Sequence, residues 1–243
     1  MSDAGEANKH TAGGVGPDSA IRHLWAHLLL WITTGLALAA DLWTKHWAFT
    51  ELRPGKTSPG LFNLVHYERS LNDGALFGMG KGLVPLFVVA SILAVVFILY
   101  FFASSHRKHH VLHVALAFIL AGALGNLFDR ACLRADLVVF KDGRRNLGLI
   151  LGDPQAAAVR IGSWPEGDDP RTFNRDGFAQ PPRSIGVVRD FIKIQPIAGR
   201  DVWPWVFNVA DALLVVGVGM LLVGFASERR ALARTAPANV TPG

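Results

Sequence analysis

Phe207-Asn208-Val209-Ala210-Asp211 opens an apolar run that continues to Ala226. Asn208 and Asp211 are three residues apart, so on a helix they lie on the same face. A carboxylate inside a membrane-spanning helix disfavours insertion by roughly 2.5 to 3.5 kcal/mol, and its default interpretation is functional. The segment therefore predicts a membrane helix with a functional carboxylate, whose partner must come from elsewhere in the chain.

The composition assigns the chain to the membrane class. Hydrophobic residues make up 51% and charged residues 18% of its 243 residues, and the mean hydropathy is +0.30. A bilayer core about 30 Å thick needs roughly 20 apolar residues for each helical crossing. Four stretches approach that length, namely 24–40, 83–103, 111–128 and 203–226. We therefore expect an all-α, four-helix transmembrane bundle with a small extracytoplasmic β-containing surface region and a long periplasmic insertion.

The first apolar stretch has two interpretations. Arg22 precedes an apolar region that ends with Ala37-Leu38-Ala39, which resembles a cleavable secretory signal with small residues at its exit. Alternatively the stretch is a retained helix, because Asp41 and Lys45 continue its period four residues apart, where they can pair. Three further apolar stretches favour the retained helix.

Basic residues flank the apolar stretches on one side. Arg107 and Lys108 lie between the second and third stretches, and three arginines, Arg229, Arg230 and Arg234, follow the fourth. Such residues mark cytoplasmic ends, so both termini are expected in the cytoplasm. These flanks would meet anionic lipid headgroups and account for much of the net charge of +5, so no nucleic-acid partner is expected.

These signals divide the chain into three parts. Residues 1–22 predict a disordered cytoplasmic leader, 23–228 the four-helix domain, and 229–243 a cytoplasmic tail. Within the domain, Leu61 to Tyr67 favours a short strand or hairpin on the bilayer surface. The segment 131–189 is rich in polar residues with fragments of β-type sequence, and it predicts a small extracytoplasmic insertion of strands and loops.

No metal site is expected. The single Cys132 excludes an internal disulfide and a multi-cysteine metal site. Four histidines, His106, His109, His110 and His113, have spacings that could hold a metal. No carboxylate lies among them and no His-Glu-x-x-His motif is present, so metal binding is disfavoured.

Polar residues converge on the opposite side of the membrane. Because successive crossings reverse direction, the unusual polar residues all emerge on one side: Asp41, Lys45, Asn72, Asp73, Asn126, Asp129, Arg130, Asn208 and Asp211. Two carboxylates that meet at an apolar boundary share a proton, because burial and like charge raise one pKa while the other group stays ionised. This is the arrangement of an aspartic protease, and a purely structural polar cluster is the alternative.

Five ordered motifs resemble the lipoprotein signal peptidases, also called signal peptidase II. They are Asp41-Leu42-Trp43-Thr44-Lys45, Asn72-Asp73-Gly74-Ala75-Leu76-Phe77-Gly78, Gly125-Asn126-Leu127-Phe128-Asp129-Arg130, Val187-Val188-Arg189-Asp190-Phe191-Ile192 and Trp203-Pro204-Trp205-Val206-Phe207-Asn208-Val209-Ala210-Asp211. The resemblance covers about 24–226. A set of five motifs in order is far more specific than any one of them.

The resemblance implies an intramembrane aspartyl protease of the bacterial cytoplasmic (inner) membrane. Such an enzyme removes signal peptides from diacylglyceryl-modified prolipoproteins, before the lipidated cysteine, without metal or other cofactor. The catalytic pair would be Asp190 and Asp211, close to the extracytoplasmic face. The resemblance further assigns substrate-binding or supporting roles, with Asp129 pairing with Arg130, to Asn72, Gly74, Asn126, Asp129, Arg130, Asn208, Asp41 and Lys45. Membrane lipid is an expected partner, and the chain is expected to be a monomer.

The chain departs from the family pattern in two places. An insertion separates Arg130 from Asp190, which leaves Asp136 and Asp142 as rivals for the first catalytic position. Asp190 is favoured because its surrounding motif and its distance to Asp211 are family-like. Arg189 is the second departure, and it would lower the pKa of Asp190 if it pointed inward. The insertion is expected either to cap the site or dock a partner, or to be a tolerated surface elaboration.

Two other function classes remain open. A transporter would also hold intramembrane carboxylates, but the cytoplasmic halves of the crossings carry almost no polar residues. A non-catalytic lipoprotein binder would need the groove and not both aspartates, so Asp211→Asn separates it from a protease.

Overall fold

The computed structural model describes residues 16–60, 64–74, 84–195 and 203–235. Within them lie four α-helices: α1 (Leu24–Glu51), α2 (Val84–Ser104), α3 (His110–Cys132) and α4 (Val209–Thr235). Three helical segments are long and apolar enough to cross a membrane, namely Leu24–Glu51, His110–Cys132 and Val209–Ser227. The apolar stretch within α2, Val88–Ser104, is shorter than these three. Three of the described helices are therefore long and apolar enough to cross a membrane, where four were expected.

The expectation of an all-α bundle is wrong. The described residues also contain nine strands in two antiparallel sheets. They are β1 (Ser58–Pro59), β2 (Val65–Asn72), β3 (Arg134–Val139), β4 (Arg145–Leu151), β5 (Ala158–Ser163), β6 (Asp168–Asn174), β7 (Arg183–Gly186), β8 (Val188–Ile194) and β9 (Val206–Phe207). Hydropathy detects long apolar runs, whereas these strands are short and partly polar, so a hydropathy pattern does not reveal them.

The first sheet has the strand order β1-β2-β8-β9. It carries some of the polar residues of the sequence motifs, among them Asn72 on β2 and Asp190 on β8. β2 and β8 pair antiparallel, with Ser70 opposite Asp190 and Asn72 opposite Val188. β9 pairs with β8 and ends at Phe207, so that one residue, Asn208, separates it from the start of α4 at Val209. The sheet therefore holds Asp190 beside the beginning of α4.

The second sheet is built by the insertion, with the strand order β6-β5-β4-β3-β7. β3 and β7, which are the first and last strands of this sheet along the chain, pair with each other, and Arg134 lies opposite Gly186. A small core of its own lies beneath the sheet and contains Val138, Phe140, Val159, Ile161 and Phe178. Because the chain enters and leaves the insertion at paired residues, β8 follows α3 in space as if the connection were short.

Helix α3 lies at the centre of the helices. It packs against α1, α2 and α4, and Gly125 allows a close approach, since a Cβ atom there would collide with the Asp41 carboxylate. Outward-facing apolar side chains are exposed instead, for example Phe97 of α2 at 63% and Val223 of α4 at 71%. A continuous exposed apolar surface of this kind fits a bilayer environment.

The chain ends differ from the expectation where the structure describes them. Ala20–Arg22, in the predicted leader, forms a 3-10 helix, and the Ala20 N–H donates to the Ser105 carbonyl at 2.8 Å. In the predicted tail, α4 continues to Thr235. The rest of the leader (1–15), the rest of the tail (236–243) and part of the motif after Gly74 (75–78) lie outside the described residues.

Candidate active site

Polar side chains from three helices, from strand β8 and from the residue before α4 meet in one buried cluster. Asp41, Lys45, Asp129 and Asn208 have no exposed surface, and Asp190 is 2% exposed. Asn126, Arg130, Arg189 and Asp211 are also buried. The convergence predicted from alternating crossings is therefore present, and it joins residues that lie far apart in the sequence.

Asn208 bridges the two aspartates. Its side-chain Nδ2 donates to Oδ1 of Asp190 at 2.6 Å, and its backbone N–H donates to Oδ2 of Asp211 at 3.2 Å. In return, the backbone N–H of Asp211 donates to Oδ1 of Asn208 at 3.0 Å. One residue thus fixes the positions of both carboxyl groups.

The same contacts cap helix α4. Asn208 immediately precedes the helix and Asp211 is its third residue, so their reciprocal hydrogen bonds form a capping box. A third free N–H of the first turn, that of Ala210, donates to Oδ1 of Asp41 at 2.8 Å. The helix dipole also favours negative charge at this end. The local signal that decides the start of α4 therefore also places Asp211 in the site.

Asn126 orients Asp211 from helix α3. Its Nδ2 donates to Oδ1 of Asp211 at 2.8 Å. Its Oδ1 accepts from Nζ of Lys45 at 3.0 Å and from Nδ2 of Asn208 at 3.2 Å. An ammonium group can only donate hydrogen bonds, so Lys45 determines which end of the Asn126 amide faces the aspartate.

Buried ion pairs hold Lys45 and the neighbouring Asp129 in place. Nζ of Lys45 lies 2.8 Å from Oδ2 of Asp41 and 3.7 Å from Oδ2 of Asp129. Arg189 binds the same Asp129 carboxylate in a bidentate manner, with Nη2 at 2.8 Å from Oδ1 and Nε at 3.2 Å from Oδ2. The expected partner of Asp129 was Arg130, but its shortest ion pair in the structure is with Arg189. Arg189 therefore points into the buried cluster, where it pairs with Asp129 and not with Asp190.

Asn72, Gly74 and Arg130 bound the site on its outer side. Nδ2 of Asn72 donates to Oδ2 of Asp190 at 2.9 Å, so Asp190 accepts one hydrogen bond on each carboxyl oxygen. Arg130 Nη2 donates to the Gly74 carbonyl at 2.6 Å, and Nη1 donates to the Asn126 carbonyl at 3.4 Å. Arg130 thereby links the end of β2 to helix α3.

The environment of Asp190 favours its protonated form. Burial, followed by the charge of Asp211, raises the pKa of Asp190 to about 8, and the hydrogen bonds from Asn72 and Asn208 oppose this rise. At neutral pH the Asp190 carboxyl therefore holds a proton. A protonated carboxyl beside a second carboxyl is the arrangement required for paired acid and base chemistry.

The two rival aspartates lie in the insertion. Oδ2 of Asp136 accepts from the Ile150 N–H at 2.9 Å within the second sheet. Asp142 is exposed, and hydrogen bonds from the backbone and side chain of Arg144 lower its pKa. Neither carboxyl contacts Asp211 in the described part of the chain. The geometry thus brings Asp190 and not its rivals to Asp211.

A cleft of about 550 Å³ opens onto Asp190. Asn72 and Asp73 form part of its lining, as do Trp205 and Val206 beside α4. Five residues of the insertion complete it, namely Arg145, Asn146, Leu147, Ser163 and Trp164. These five residues belong to none of the five motifs, so the sequence does not reveal them as part of the site.

The comparisons with known proteins agree on one family. A family model described as signal peptidase (SPase) II matches residues 33–226. A lipoprotein signal peptidase of Clostridioides difficile is 34% identical over 189 residues, which cover 77% of this chain and 88% of the relative. A lipoprotein signal peptidase of Desulfitobacterium hafniense is 27% identical over 203 residues, which cover 84% of this chain and 96% of the relative.

Two solved structures share the fold, and each is described as a bacterial membrane enzyme. The first has a TM-score of 0.56 at 18% identity and covers 86% of this chain and 93% of its own. The second has a TM-score of 0.52 at 20% identity and covers 80% of this chain and 90% of its own. The likeness extends over most of the chain, at sequence identities that speak only for the fold.

Proposed function

Because the chain belongs to the signal peptidase II family, we propose that Asp190 and Asp211 are the catalytic pair of its peptidase reaction. The family establishes the activity: this membrane enzyme is an aspartic protease that removes signal peptides from lipoprotein precursors. The contacts of Asn208 with both carboxyl groups carry the residue assignment. Aspartic proteases work through two carboxyl groups that share one proton. Here Asn208 donates a hydrogen bond to each of the two carboxyl groups and so holds them close together.

In the proposed mechanism, Asp190 is the general acid and Asp211 is the general base. Its pKa of about 8 keeps it protonated at neutral pH. Asp211 accepts two N–H donors, from Asn126 and from the Asn208 backbone, at the amino-terminal turn of α4. Those donors and the helix dipole stabilise negative charge, so Asp211 acts as the base towards water.

The reaction then proceeds without any group outside the chain and water. Asp211 takes a proton from water as the water oxygen bonds to the scissile carbonyl carbon, while Asp190 gives its proton to the carbonyl oxygen. Collapse of the tetrahedral intermediate breaks the C–N bond. The leaving amine takes the proton held by Asp211, and the new hydroxyl group returns a proton to Asp190. The pair is thereby restored to its starting state.

Four supporting residues preserve this geometry. Asn126 and Lys45 hold Asp211, and Asn72 holds Asp190 through direct or relayed hydrogen bonds. Arg130 lies at the rim, where its bond to the Gly74 carbonyl ties down the end of β2. The burial of Lys45, Asn126 and Arg130 supports a positioning role for them. For Asn72, which is half-buried, the hydrogen bond to Asp190 supports the same role.

The proposal extends to orientation and substrate. Basic residues at the far ends of the helices support cytoplasmic termini and an active site near the extracytoplasmic face. Bilayer-exposed apolar surface beside the site supports a lipid-modified substrate, cut before the cysteine that carries the diacylglyceryl group. Both carboxyl groups come from one chain, so a monomer is sufficient for activity.

Identification of the products tests this function. Purified enzyme is incubated with a diacylglyceryl-modified lipobox peptide, and the fragments are analysed by mass spectrometry. We expect one cut, immediately before the lipidated cysteine, and no cut of the same peptide without lipid. Binding of the peptide by both wild type and Asp211→Asn, without cleavage by either, would instead identify a non-catalytic binder.

A further inference from the structure

The insertion forms one wall of the cleft that leads to Asp190. Arg145, Asn146 and Leu147 come from β4, while Ser163 ends β5 and Trp164 follows it. The opposite lining contains Asn72 and Asp190 themselves. A surface elaboration without a role in the reaction would have no reason to share a cavity with the catalytic carboxyl.

Three contacts fasten this wall to the peptidase body. Arg145 forms an ion pair with Asp73 at the end of β2. Arg69 of β2 forms a second ion pair, with Nη1 3.1 Å from Oε2 of Glu166. The Trp164 ring packs edge-on against Phe49 of α1, with ring centroids 5.7 Å apart.

The Trp164 side chain is also fixed from within the insertion. Its Nε1 donates to the Arg134 carbonyl at 2.7 Å, at the point where the chain enters the second sheet. An aromatic ring held by both a hydrogen bond and an edge-on ring contact presents a rigid surface. The cleft therefore has a preorganised outer wall, which limits the entropy lost when a peptide binds.

Two polar side chains on the wall are unused by the fold. Asn146 and Ser163 line the cleft, are partly exposed, and form no side-chain hydrogen bond to any other described residue. An extended peptide carries unpaired N–H and C=O groups along its length. Asn146 offers both a donor and an acceptor to such a backbone, and Ser163 offers a hydroxyl group that does the same.

The position of the wall decides which part of a substrate it meets. The apolar signal segment and the acyl chains of a lipoprotein precursor stay in the bilayer, because moving them into water is unfavourable. In the proposed orientation, the residues after the lipidated cysteine leave the bilayer on the side where the insertion lies. Those residues are the part of the substrate that can enter a polar cleft outside the membrane.

We propose that the insertion adds a peptide-binding subsite for the residues that follow the lipidated cysteine, with Asn146 and Ser163 as its backbone-binding side chains. This inference rests on the proposed function of the Asp190 and Asp211 pair. The insertion thereby extends recognition beyond the cleavage site and makes the enzyme selective for the beginning of the mature lipoprotein.

Two substrates with the same signal segment and the same diacylglyceryl cysteine test the subsite. The short substrate ends at the residue after that cysteine, and the long one continues for several residues. For each, kcat/KM is measured with wild type and with the double variant Asn146→Ala/Ser163→Ala. We expect the ratio of the long to the short value to fall by about tenfold, the change that two ordinary hydrogen bonds would produce. Most of the change should be in the KM of the long substrate.

Arg171→Ala is the matched control. Arg171 lies on β6 of the same insertion, is exposed and does not line the cleft. It should leave the ratio and both individual values unchanged. The double variant avoids Arg145, whose loss would release Asp73 and so disturb the neighbouring Asn72 and its bond to Asp190.

The outcomes separate the two proposals. An unchanged ratio in the double variant, with or without an equal loss on both substrates, overturns the subsite while leaving the peptidase assignment intact. A lower ratio in the double variant and not in Arg171→Ala supports it. If wild type cleaves neither substrate, the proposed function has failed and the subsite fails with it.

Discussion

The ammonium group of Lys45 donates to Oδ1 of Asn126 at 3.0 Å, and this bond turns the amide nitrogen of Asn126 towards Asp211. Lys45 is completely buried and also neutralises Asp41, whose other oxygen accepts from the first turn of α4. A single cation therefore connects α1, α3 and α4 beside the proposed catalytic pair, Asp190 and Asp211. Its loss should affect both stability and catalysis.

The first prediction concerns Lys45→Met. The change leaves the buried Asp41 carboxylate without its cation, and breaking such a pair costs about 3 to 5 kcal/mol. We expect a lower Tm in detergent and a kcat reduced by at least about tenfold, because Asn126 is no longer held. Adding Asp41→Asn to Lys45→Met should recover part of the Tm but not the kcat. Equal recovery of both would contradict a separate positioning role for Lys45.

The second prediction separates the two functions of Asn208. Asn208→Ser keeps a side chain that can cap α4, whereas Asn208→Ala removes the cap at a cost of about 1 kcal/mol. Both lose the Nδ2 donor to Asp190. Asn208→Ser should therefore unfold near the wild-type Tm yet be strongly impaired in kcat, and Asn208→Ala should be impaired in both. A fully active serine variant would show that the bond to Asp190 is dispensable.

The third prediction follows from the pKa of Asp190. Its carboxyl must be protonated to act as the acid, and burial with the charge of Asp211 raises the pKa to about 8. Activity should therefore be retained at neutral pH and be lost as the pH rises through about 8. In Asn72→Ala, a hydrogen bond that favours the ionised form is absent, so the alkaline limb should move to higher pH.

The profile of kcat/KM against pH measures this shift. Asp142→Asn is the control, because the Asp142 carboxyl is exposed and paired with Arg144 in the insertion. Its alkaline limb should coincide with that of wild type. A limb that stays fixed in Asn72→Ala, with activity still measurable, would assign the alkaline titration to a group other than Asp190.

The fourth prediction concerns helix packing at Gly125. A Cβ atom there would collide with the Asp41 carboxylate, so Gly125→Ala should destabilise the protein by about 1 to 3 kcal/mol. Gly35→Ala in α1 is a matched control, because a Cβ atom at Gly35 meets nothing within 4 Å. It should be neutral or slightly stabilising in the same thermal unfolding experiment. Equal Tm values for the two variants would show that α1 and α3 can separate without loss.

Much of the helical part could be predicted from the sequence. Long apolar runs locate α1, α3 and α4, and reversal of direction between crossings brings Asp41, Asn126 and Asp211 to one end. The two sheets could not be predicted in this way, because β2 and β8 become a pair only when the chain between them is folded. Hydropathy carries no information about that pairing.

The candidate site also has a part that the sequence predicts and a part that it does not. The spacing of Asn208 and Asp211 indicated a shared face, and an N-cap residue followed by an acid three positions later is also the sequence signal of a capping box. The partner of Asp129 could not be read from the sequence, since the adjacent Arg130 and the distant Arg189 are equally basic. Arg189 reaches Asp129 because β8 packs against α3, where its backbone N–H and its guanidinium group both donate to the Asp129 carboxylate.

The assignment of the catalytic pair is tested most directly by four single substitutions in one cleavage assay with a diacylglyceryl-modified lipobox peptide. Asp190→Asn and Asp211→Asn each remove one member of the pair without changing its size, and Asp136→Asn and Asp142→Asn do the same for the two aspartates of the insertion. We predict that the first two variants bind the peptide and do not cleave it, while the other two cleave at the wild-type rate. Cleavage by Asp190→Asn together with an inactive Asp136→Asn or Asp142→Asn would contradict the assignment and move the catalytic acid into the insertion.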